Sequence, residues 1–217
     1  KSIDYIIGHL DDAITIEDVA RHCHFSKFHL CRLFKNETGE SLYAFIKRLK
    51  LEQSAIKLKL EKNKNITEIG EDFGYSPSNY SSAFKKFYQV CPAEFRQGSD
   101  KICMNNPFNP DNQVSFQSFE YYAKAIKIME LTDFLVLYER HLGNYIELGQ
   151  CWLRFTERYK ELIKDDTLLI EKFYDDPAIT SVKQCLFDIC LTVDEGCSYN
   201  NVTKIPGGKY AVYRFDG

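Results

Sequence analysis

The chain has 217 residues, a formal net charge of −3, 44% hydrophobic residues and 27% charged residues. This composition is typical of a folded protein of one or two domains and excludes a disordered chain. No apolar run approaches the roughly 20 residues of a membrane span, and no signal peptide is recognisable, so we predict a soluble, cytoplasmic protein without a membrane partner. The charge is uneven, because residues 1–97 carry a net charge of +2 and the remainder carries −5.

The eight cysteines allow three interpretations: disulfides, a zinc site or small apolar residues of the core. No Cys-x-x-Cys pair occurs, and no His follows at the spacing of a metal site. Several cysteines also replace apolar residues in helical or strand patterns. We therefore expect buried thiols in a reducing compartment, without a metal or another cofactor.

The first half contains an internal repeat with an offset of 50 residues. Each copy predicts a short helix, a tight turn and a second helix that a serine caps, which is a helix-turn-helix unit. In the second copy, Gly74 ends the first helix, Ser76 is the N-cap and Pro77 takes the first helical position. The matching residues are Ile16 and Ile66, Val19 and Ile69, Phe25 and Tyr75, Ser26 and Ser76, Leu30 and Tyr80, and Phe34 and Phe84.

The second helix of each unit has an apolar inner face and a polar, basic outer face when residues are placed at about 100° intervals. Such an outer face suits insertion into a DNA major groove. One such helix alone favours an ordinary amphipathic surface helix, whereas two in register favour DNA reading. The predicted DNA contacts are Ser26, Lys27, Phe28, Cys31, Arg32 and Lys35 in the first unit, and Ser78, Asn79, Ser81, Ser82, Lys85 and Lys86 in the second.

Between the units, apolar residues at helical spacing from residue 41 to about 60 predict one long connecting helix. This rigid spacer allows both second helices to enter successive major grooves on one DNA face, about 34 Å apart. The first unit offers Phe28, Arg32 and Lys35, whereas the second offers mainly Ser and Asn beside its lysines. We therefore expect the first unit to contribute more of the affinity.

These residues resemble the AraC/XylS-type transcription regulators, over roughly residues 1–97. The matching segments are 16–20, 25–35, 37–39, 66–86 and 92–96. The resemblance implies an all-α domain with two helix-turn-helix units, in a bacterial regulator that binds double-stranded promoter DNA and contacts RNA polymerase. The chain departs from the family at Ser82, where a basic residue is common.

The second half begins with a polar, Pro-punctuated segment, residues 98–118, which predicts a linker. Beyond it, apolar runs at 125–131, 134–141, 182–193 and 210–215 predict strands. Apolar residues at helical spacing predict a helix over 147–164. The order strand, strand, helix, strand, strand predicts an α+β sandwich over residues 119–217.

This part resembles the GyrI-like effector-binding domains in the segments 140–145, 174–177, 187–190 and 205–212. The resemblance implies two strand-helix-strand-strand halves around a cleft for small, often cationic or amphipathic molecules. It also implies that the chain ends inside the second half, before the acidic residue that the family uses against cationic ligands. Aromatic residues bind cations and flat molecules, although each is more often a core residue. The predicted ligand contacts are Tyr145, Trp152, Tyr174, Phe187 and Tyr213.

His141, between a strand and a glycine turn, is interpreted as a structural group in preference to a catalytic or metal-binding one. Asp188 is either a buried hydrogen-bond acceptor or a charge on a strand face. No nucleophile and base have a recognisable spacing, so we do not expect an enzyme. The leading hypothesis is a sequence-specific transcription regulator modulated by a small-molecule effector. The alternatives are a hydrolase of small electrophiles, and a drug-sequestering or protein-inhibiting binder whose DNA module is vestigial.

Overall fold

A computed structural model of the chain describes residues 1–98 and 123–214. It divides into two compact units, a helical N-terminal unit and an α+β C-terminal unit. The predicted linker lies outside the described residues except for Gly98, which ends the last helix of the first unit. Neither described range contains a helix that is long and apolar enough to cross a membrane.

The described part of the N-terminal unit is built from seven helices. Helices α2 and α3 form the first predicted helix-turn-helix unit, α5 and α6 form the second, and α4 is the predicted connecting helix. The bounds are α1 (Ser2–Gly8), α2 (Ile16–His22), α3 (Lys27–Thr38), α4 (Leu42–Leu60), α5 (Ile66–Asp72), α6 (Pro77–Tyr88) and α7 (Pro92–Gly98).

The two helix-turn-helix units repeat the backbone conformation as well as the sequence. His24, with φ 59°, and Gly74, with φ 76°, occupy equivalent positions in the two turns. Gly39, with φ 78°, and Gln89, with φ 62°, end α3 and α6 in the same left-handed conformation. Each pair contains one glycine, the residue that adopts positive φ without steric cost. The repeated fold therefore imposes this conformation on the non-glycine partner of each pair.

Serine begins both second helices, as predicted. The Ser26 side chain accepts a hydrogen bond from the backbone N–H of His29 at the start of α3. Ser76 is the N-cap of α6 and is followed by Pro77 at the first helical position, where its missing N–H costs nothing. Helix α2 begins at Thr15, which forms a capping box with Asp18.

Most of helix α4 is buried because it contributes to the cores of both helix-turn-helix units. Leu42 and Phe45, in its first half, belong to the core of the first unit. Ala55 and Leu58, in its second half, belong to the core of the second unit. The 19 residues of α4 span about 28 Å at a rise of about 1.5 Å per residue. The connecting helix therefore belongs to both helix-turn-helix units, and its packing holds them together within the N-terminal unit.

The described part of the C-terminal unit contains a four-stranded antiparallel sheet, a two-stranded antiparallel sheet and a longer α-helix that packs on the larger sheet, besides a helical turn at 123–125. The strand order is β3-β4-β2-β5 in the larger sheet and β1-β6 in the smaller one. This arrangement confirms the predicted α+β class. The bounds are β1 (Lys127–Leu131), β2 (Phe134–Leu142), α8 (Leu148–Arg158), β3 (Leu169–Phe173), β4 (Leu186–Thr192), β5 (Val202–Ile205) and β6 (Gly208–Val212).

Strands β3 and β5 were not predicted, because both are short and largely exposed and owe their conformation to pairing with β4 and β2. Other boundaries also differ from the prediction. Residues 182–184 form a 3₁₀ turn before β4, and the predicted long helix ends at Arg158, where Tyr159 leaves helical geometry. The first strand begins two residues later than predicted, and the last is shifted to 208–212. Phe215, in the predicted last strand, lies outside the described residues.

The two sheets are connected by paired bends. β1 and β2 continue one another through Thr132 and Asp133, opposite the bend between β5 and β6 at Pro206 and Gly207. A Cβ atom at Gly207 would lie 2.6 Å from the carbonyl oxygen of Leu131. The backbone N–H of Gly207 donates to the Asp133 carboxylate at 2.6 Å. The close approach of the two bends therefore requires glycine at this position.

Both faces of the larger sheet are buried along β4. Phe187, Ile189 and Leu191 face α8 and pack with Tyr145 and Phe155 in the core of this unit. Side chains alternate along a strand, so Leu186, Asp188 and Cys190 lie on the opposite face. All three are at most 2% exposed. The sheet thus presents an apolar face to the helix and a second buried face that contains a carboxylate.

Candidate nucleic-acid interface and ligand-binding residues

Helix α3 presents the outer face that the sequence predicted. Leu30 and Phe34 are buried in the core of the first unit. Phe28, Arg32 and Lys35 are exposed, and the exposed fraction of Phe28 is 86%. An aromatic ring with this exposure contributes almost nothing to the core. The outer face of α3 therefore combines two cations with an uncovered apolar ring.

The other three predicted contacts of the first unit have structural roles. Ser26 is the N-cap of α3, and Cys31 is half-buried against the core. The Lys27 ammonium pairs with the Glu17 carboxylate at 2.5 Å. The hydrogen bond to Glu17 raises the pKa of Lys27, so its side chain stays charged. Ser26 and Lys27 nevertheless remain exposed, so Cys31 is the one of these three that the core partly covers.

Helix α6 buries Tyr80 and Phe84 and exposes all six of its predicted DNA contacts. Their helical spacing divides them into two stripes. Three of them line a groove between the two helix-turn-helix units and the other three do not. The first stripe consists of Asn79, Ser82 and Lys86, and the second of Ser78, Ser81 and Lys85.

We call this depression the central groove and define it by Tyr43, Lys47 and Lys50 of α4 and by Asn79, Ser82 and Lys86 of α6. It has a volume of about 690 Å³ and lies entirely within the N-terminal unit. The three α4 residues were not predicted as site residues. Their spacing of i, i+4 and i+7 is a polar stripe on a mostly buried helix, and that signal is visible in the sequence.

The five aromatic residues predicted to contact a ligand do not share one surface. Tyr145 and Phe187 are 3% and 1% exposed, and their rings contact each other in the core under α8. Trp152 is half-buried at the edge of that core and donates its indole N–H to Glu171 at 2.6 Å. Tyr174 contacts the opposite face of the sheet, and Tyr213 follows β6.

A charged network lies on the sheet face opposite α8. The Arg140 guanidinium binds both carboxylate oxygens of Asp188 at 2.7 Å, and the Tyr174 hydroxyl donates to the same carboxylate at 2.5 Å. Asp188 of β4 lies opposite Arg140 on β2 and opposite Lys172 on β3. Asp188 is 2% exposed, which identifies it as the buried acceptor of the two alternatives. Burial and the hydrogen bond to Asp188 raise the pKa of Tyr174.

His141 faces α8, as its neighbours show. Its ring stacks on Phe187 with the centroids 5.3 Å apart, and Nδ1 lies 3.6 Å from the sulfur of Cys151. Burial lowers the pKa of His141, which favours the neutral imidazole. Within the described ranges, no group of three or more His, Cys, Asp and Glu side chains could hold a metal ion. None of the seven cysteines in those ranges forms a disulfide.

Two helix-turn-helix units on one helical body, followed by an α+β unit, have the architecture of a DNA-binding protein with a second domain. A family model described as a helix-turn-helix domain matches residues 19–98, and one described as a GyrI-like small molecule binding domain matches residues 124–217. The chain belongs to the AraC-type family of helix-turn-helix transcription regulators and carries a GyrI-like domain after the DNA-binding domain.

Relatives of known role match the first domain. The multiple antibiotic resistance protein MarA of Escherichia coli is 36% identical over 95 residues, which cover 43% of this chain and 74% of MarA. The transcriptional regulator Rob of Salmonella typhimurium is 34% identical over 97 residues, 44% of this chain but only 33% of Rob. A solved structure, the C-terminal domain of AraT, a response regulator from Geobacillus stearothermophilus, is 32% identical with a TM-score of 0.42, covering 44% of this chain and 80% of that one.

Proposed function

We propose that this protein is a sequence-specific transcription regulator that binds promoter DNA through α3 and α6, contacts RNA polymerase and is modulated by a small molecule bound to its C-terminal unit. The observation that carries the proposal is the pair of equivalent helices with exposed polar and basic faces on one helical body. Two such helices suit successive major grooves on one face of the DNA.

Helix α3 supplies the strongest base-reading chemistry. The Arg32 guanidinium can donate two hydrogen bonds to the O6 and N7 atoms of a guanine, and Phe28 can cover a thymine methyl group. Lys35, on the same exposed face, suits a phosphate contact. Contact with DNA would also cover the apolar ring of Phe28, which the fold leaves 86% exposed. We therefore propose that α3 determines most of the sequence preference and α6 less of it.

The test begins with DNA duplexes selected from a random-sequence pool by the full chain, followed by equilibrium binding at a stated salt concentration. Arg32→Ala should weaken binding to the selected duplex by about 1–3 kcal/mol and relax the preference at one base position. Arg21→Ala is the matched control, because it removes the same charge from α2, where the side chain is 79% exposed. Equal effects of the two variants, or no selected sequence at all, would contradict the proposal.

The C-terminal unit is proposed to bind the effector. Of the five predicted contacts, Tyr145 and Phe187 expose almost no surface, so Tyr174 and Tyr213 are the residues to test first. Trp152 is the only tryptophan of the chain, and its fluorescence reports binding near this unit. A screen of cationic and amphipathic molecules should identify a compound that changes this fluorescence and that binds more weakly to Tyr174→Phe or Tyr213→Ala.

Modulation requires the effector to change DNA binding as well as to bind. The selected duplex should bind with a different affinity, or activate RNA polymerase to a different extent in a purified transcription assay, when the effector is saturating. A molecule that binds tightly but changes neither measurement would support a sequestering binder and contradict the regulatory proposal.

A further inference from the structure

The central groove differs in charge balance from the rest of the N-terminal unit. Three lysines, Lys47, Lys50 and Lys86, line it, and none of the described residues that line it is acidic. Several lysines elsewhere in the unit are paired with carboxylates, as Lys57 and Lys64 are with Asp72 at 3.1 and 2.6 Å. An exposed groove with Lys47 and Lys86 on its walls attracts a polyanion.

Lys50 is the most buried lysine of the groove. Burial lowers its pKa, whereas the nearby Asp11 and Asp12 carboxylates raise it. The residue is 9% exposed, and its ammonium group donates to the carbonyl oxygens of Asp12 at 2.8 Å and Phe73 at 3.0 Å. These carbonyl groups hold the ammonium group in place, and the Asp11 and Asp12 carboxylates offset part of its charge. Asp12 precedes the first helix-turn-helix unit and Phe73 lies in the turn of the second. Lys50 therefore connects the two units at the point where the groove runs between them.

Hydroxyl groups add hydrogen-bond donors to this cationic surface. Tyr43 is 64% exposed at the start of α4, and Tyr75 lines the groove from the turn of the second unit. Burial raises the pKa of Tyr75 to about 12, so its hydroxyl keeps the proton that it can donate. Tyrosine hydroxyls and lysines are among the groups that bind phosphate oxygens in protein–DNA complexes.

We propose that the central groove binds the phosphodiester backbone of the DNA segment between the two major grooves that α3 and α6 enter, with Lys47 and Lys86 as direct phosphate contacts. The proposal rests on the proposed function. Its support is the continuity of the groove wall with the reading face of α6, since Asn79, Ser82 and Lys86 belong to both.

The test uses the full chain and the duplex selected by the wild-type protein. Lys47→Ala and Lys86→Ala should each weaken binding several-fold and reduce the slope of log K against log salt by about 0.9, because each removes one phosphate contact. The ratio of affinities for selected and scrambled duplexes should stay within about twofold, since phosphate contacts carry no sequence information. Lys47→Arg should preserve the slope. Lys209→Ala, at an exposed lysine of β6, is the control with the same charge change.

A second measurement places the contact on the DNA. Neutral methylphosphonate linkages at the phosphates between the two major grooves should weaken DNA binding by the wild-type protein. They should cause no further loss of affinity in the Lys47→Ala, Lys86→Ala double variant. Thermal unfolding of each variant confirms that the fold is intact.

Wild-type salt slopes in both variants, or equal methylphosphonate effects in wild-type and variant proteins, would overturn the inference. So would lysine variants that bind DNA normally but lose a small anionic effector, because the groove would then be a ligand site. Failure of the wild-type protein to prefer any duplex would instead refute the proposed function.

Discussion

The two helix-turn-helix units differ where their first and second helices touch. A Cβ atom at Gly70 would lie 2.6 Å from Cγ and 2.9 Å from Cβ of Tyr80, which is 1% exposed. The equivalent residues of the first unit, 50 positions earlier, are Ala20 and Leu30, and both are buried. The second unit therefore combines the smaller residue on its first helix with the larger one on its second.

We predict that Gly70→Ala destabilises the N-terminal unit by about 2 kcal/mol. Overpacking of a core costs about 1–3 kcal/mol, and the upper end applies because the clash is with the root of the Tyr80 side chain, which cannot swing away. The higher helix propensity of alanine than of glycine offsets about 1 kcal/mol of this cost. A Tyr80→Leu background keeps Cβ and Cγ of the side chain but removes the ring, which leaves α6 room to shift to the packing that Ala20 and Leu30 have in the first unit. There the same substitution should cost at least about 1 kcal/mol less than in the wild-type background.

Chemical unfolding followed by far-ultraviolet circular dichroism measures the helical N-terminal unit. Trp152, the only tryptophan, reports the C-terminal unit in the same samples and should show an unchanged transition. The reasoning is wrong if Gly70→Ala is neutral in the wild-type background, or if it costs the same free energy in the wild-type and Tyr80→Leu backgrounds.

Three further predictions concern stability. Gln89→Gly should stabilise the N-terminal unit by about 0.5–1 kcal/mol, since Gln89 has φ 62°; circular dichroism that shows no gain would contradict this. Asp188→Asn should cost about 3 kcal/mol in unfolding followed by Trp152 fluorescence, because Arg140 loses its buried counter-charge; a loss below about 1 kcal/mol would contradict it. Burial lowers the pKa of His141, so below about pH 6.5 the unfolded chain takes up a proton that the folded chain resists, and stability falls. His141→Gln should lose less stability between pH 7 and 5.5, and equal losses would exclude this cause.

Much of the N-terminal unit was predictable because its signals are local. Gly74 and Pro77 act through backbone conformation within a few residues, and the structure places the turn and the start of α6 accordingly. Ser76 takes the predicted N-cap position, although its side chain makes no capping hydrogen bond. The repeat also predicted the outer faces of α3 and α6 by helical angle alone. The roles of Cys31 and Lys27 were not predictable in this way, because they depend on the core and on Glu17 of another helix.

The C-terminal unit was less predictable because its strands depend on partners far along the chain. β3 is an edge strand whose residues lack alternation, and only its pairing with β4 makes it a strand. The pairing of β2 with β4 likewise brings Arg140 to Asp188 across 48 residues and decides that this carboxylate is a buried acceptor. Tyr145 and Phe187 became core residues because α8 covers their face of the sheet.

The sequence by itself determined the repeat, the connecting helix, the exposed side of each reading helix and the order of the two domains. Each of these follows from periodicity or from interactions within one or two helical turns. Only the tertiary structure decided that Tyr43, Lys47 and Lys50 of α4 meet Asn79, Ser82 and Lys86 of α6 in one groove. The physical reason is that a groove between two helices depends on how their buried faces pack, and no spacing along the chain encodes that distance.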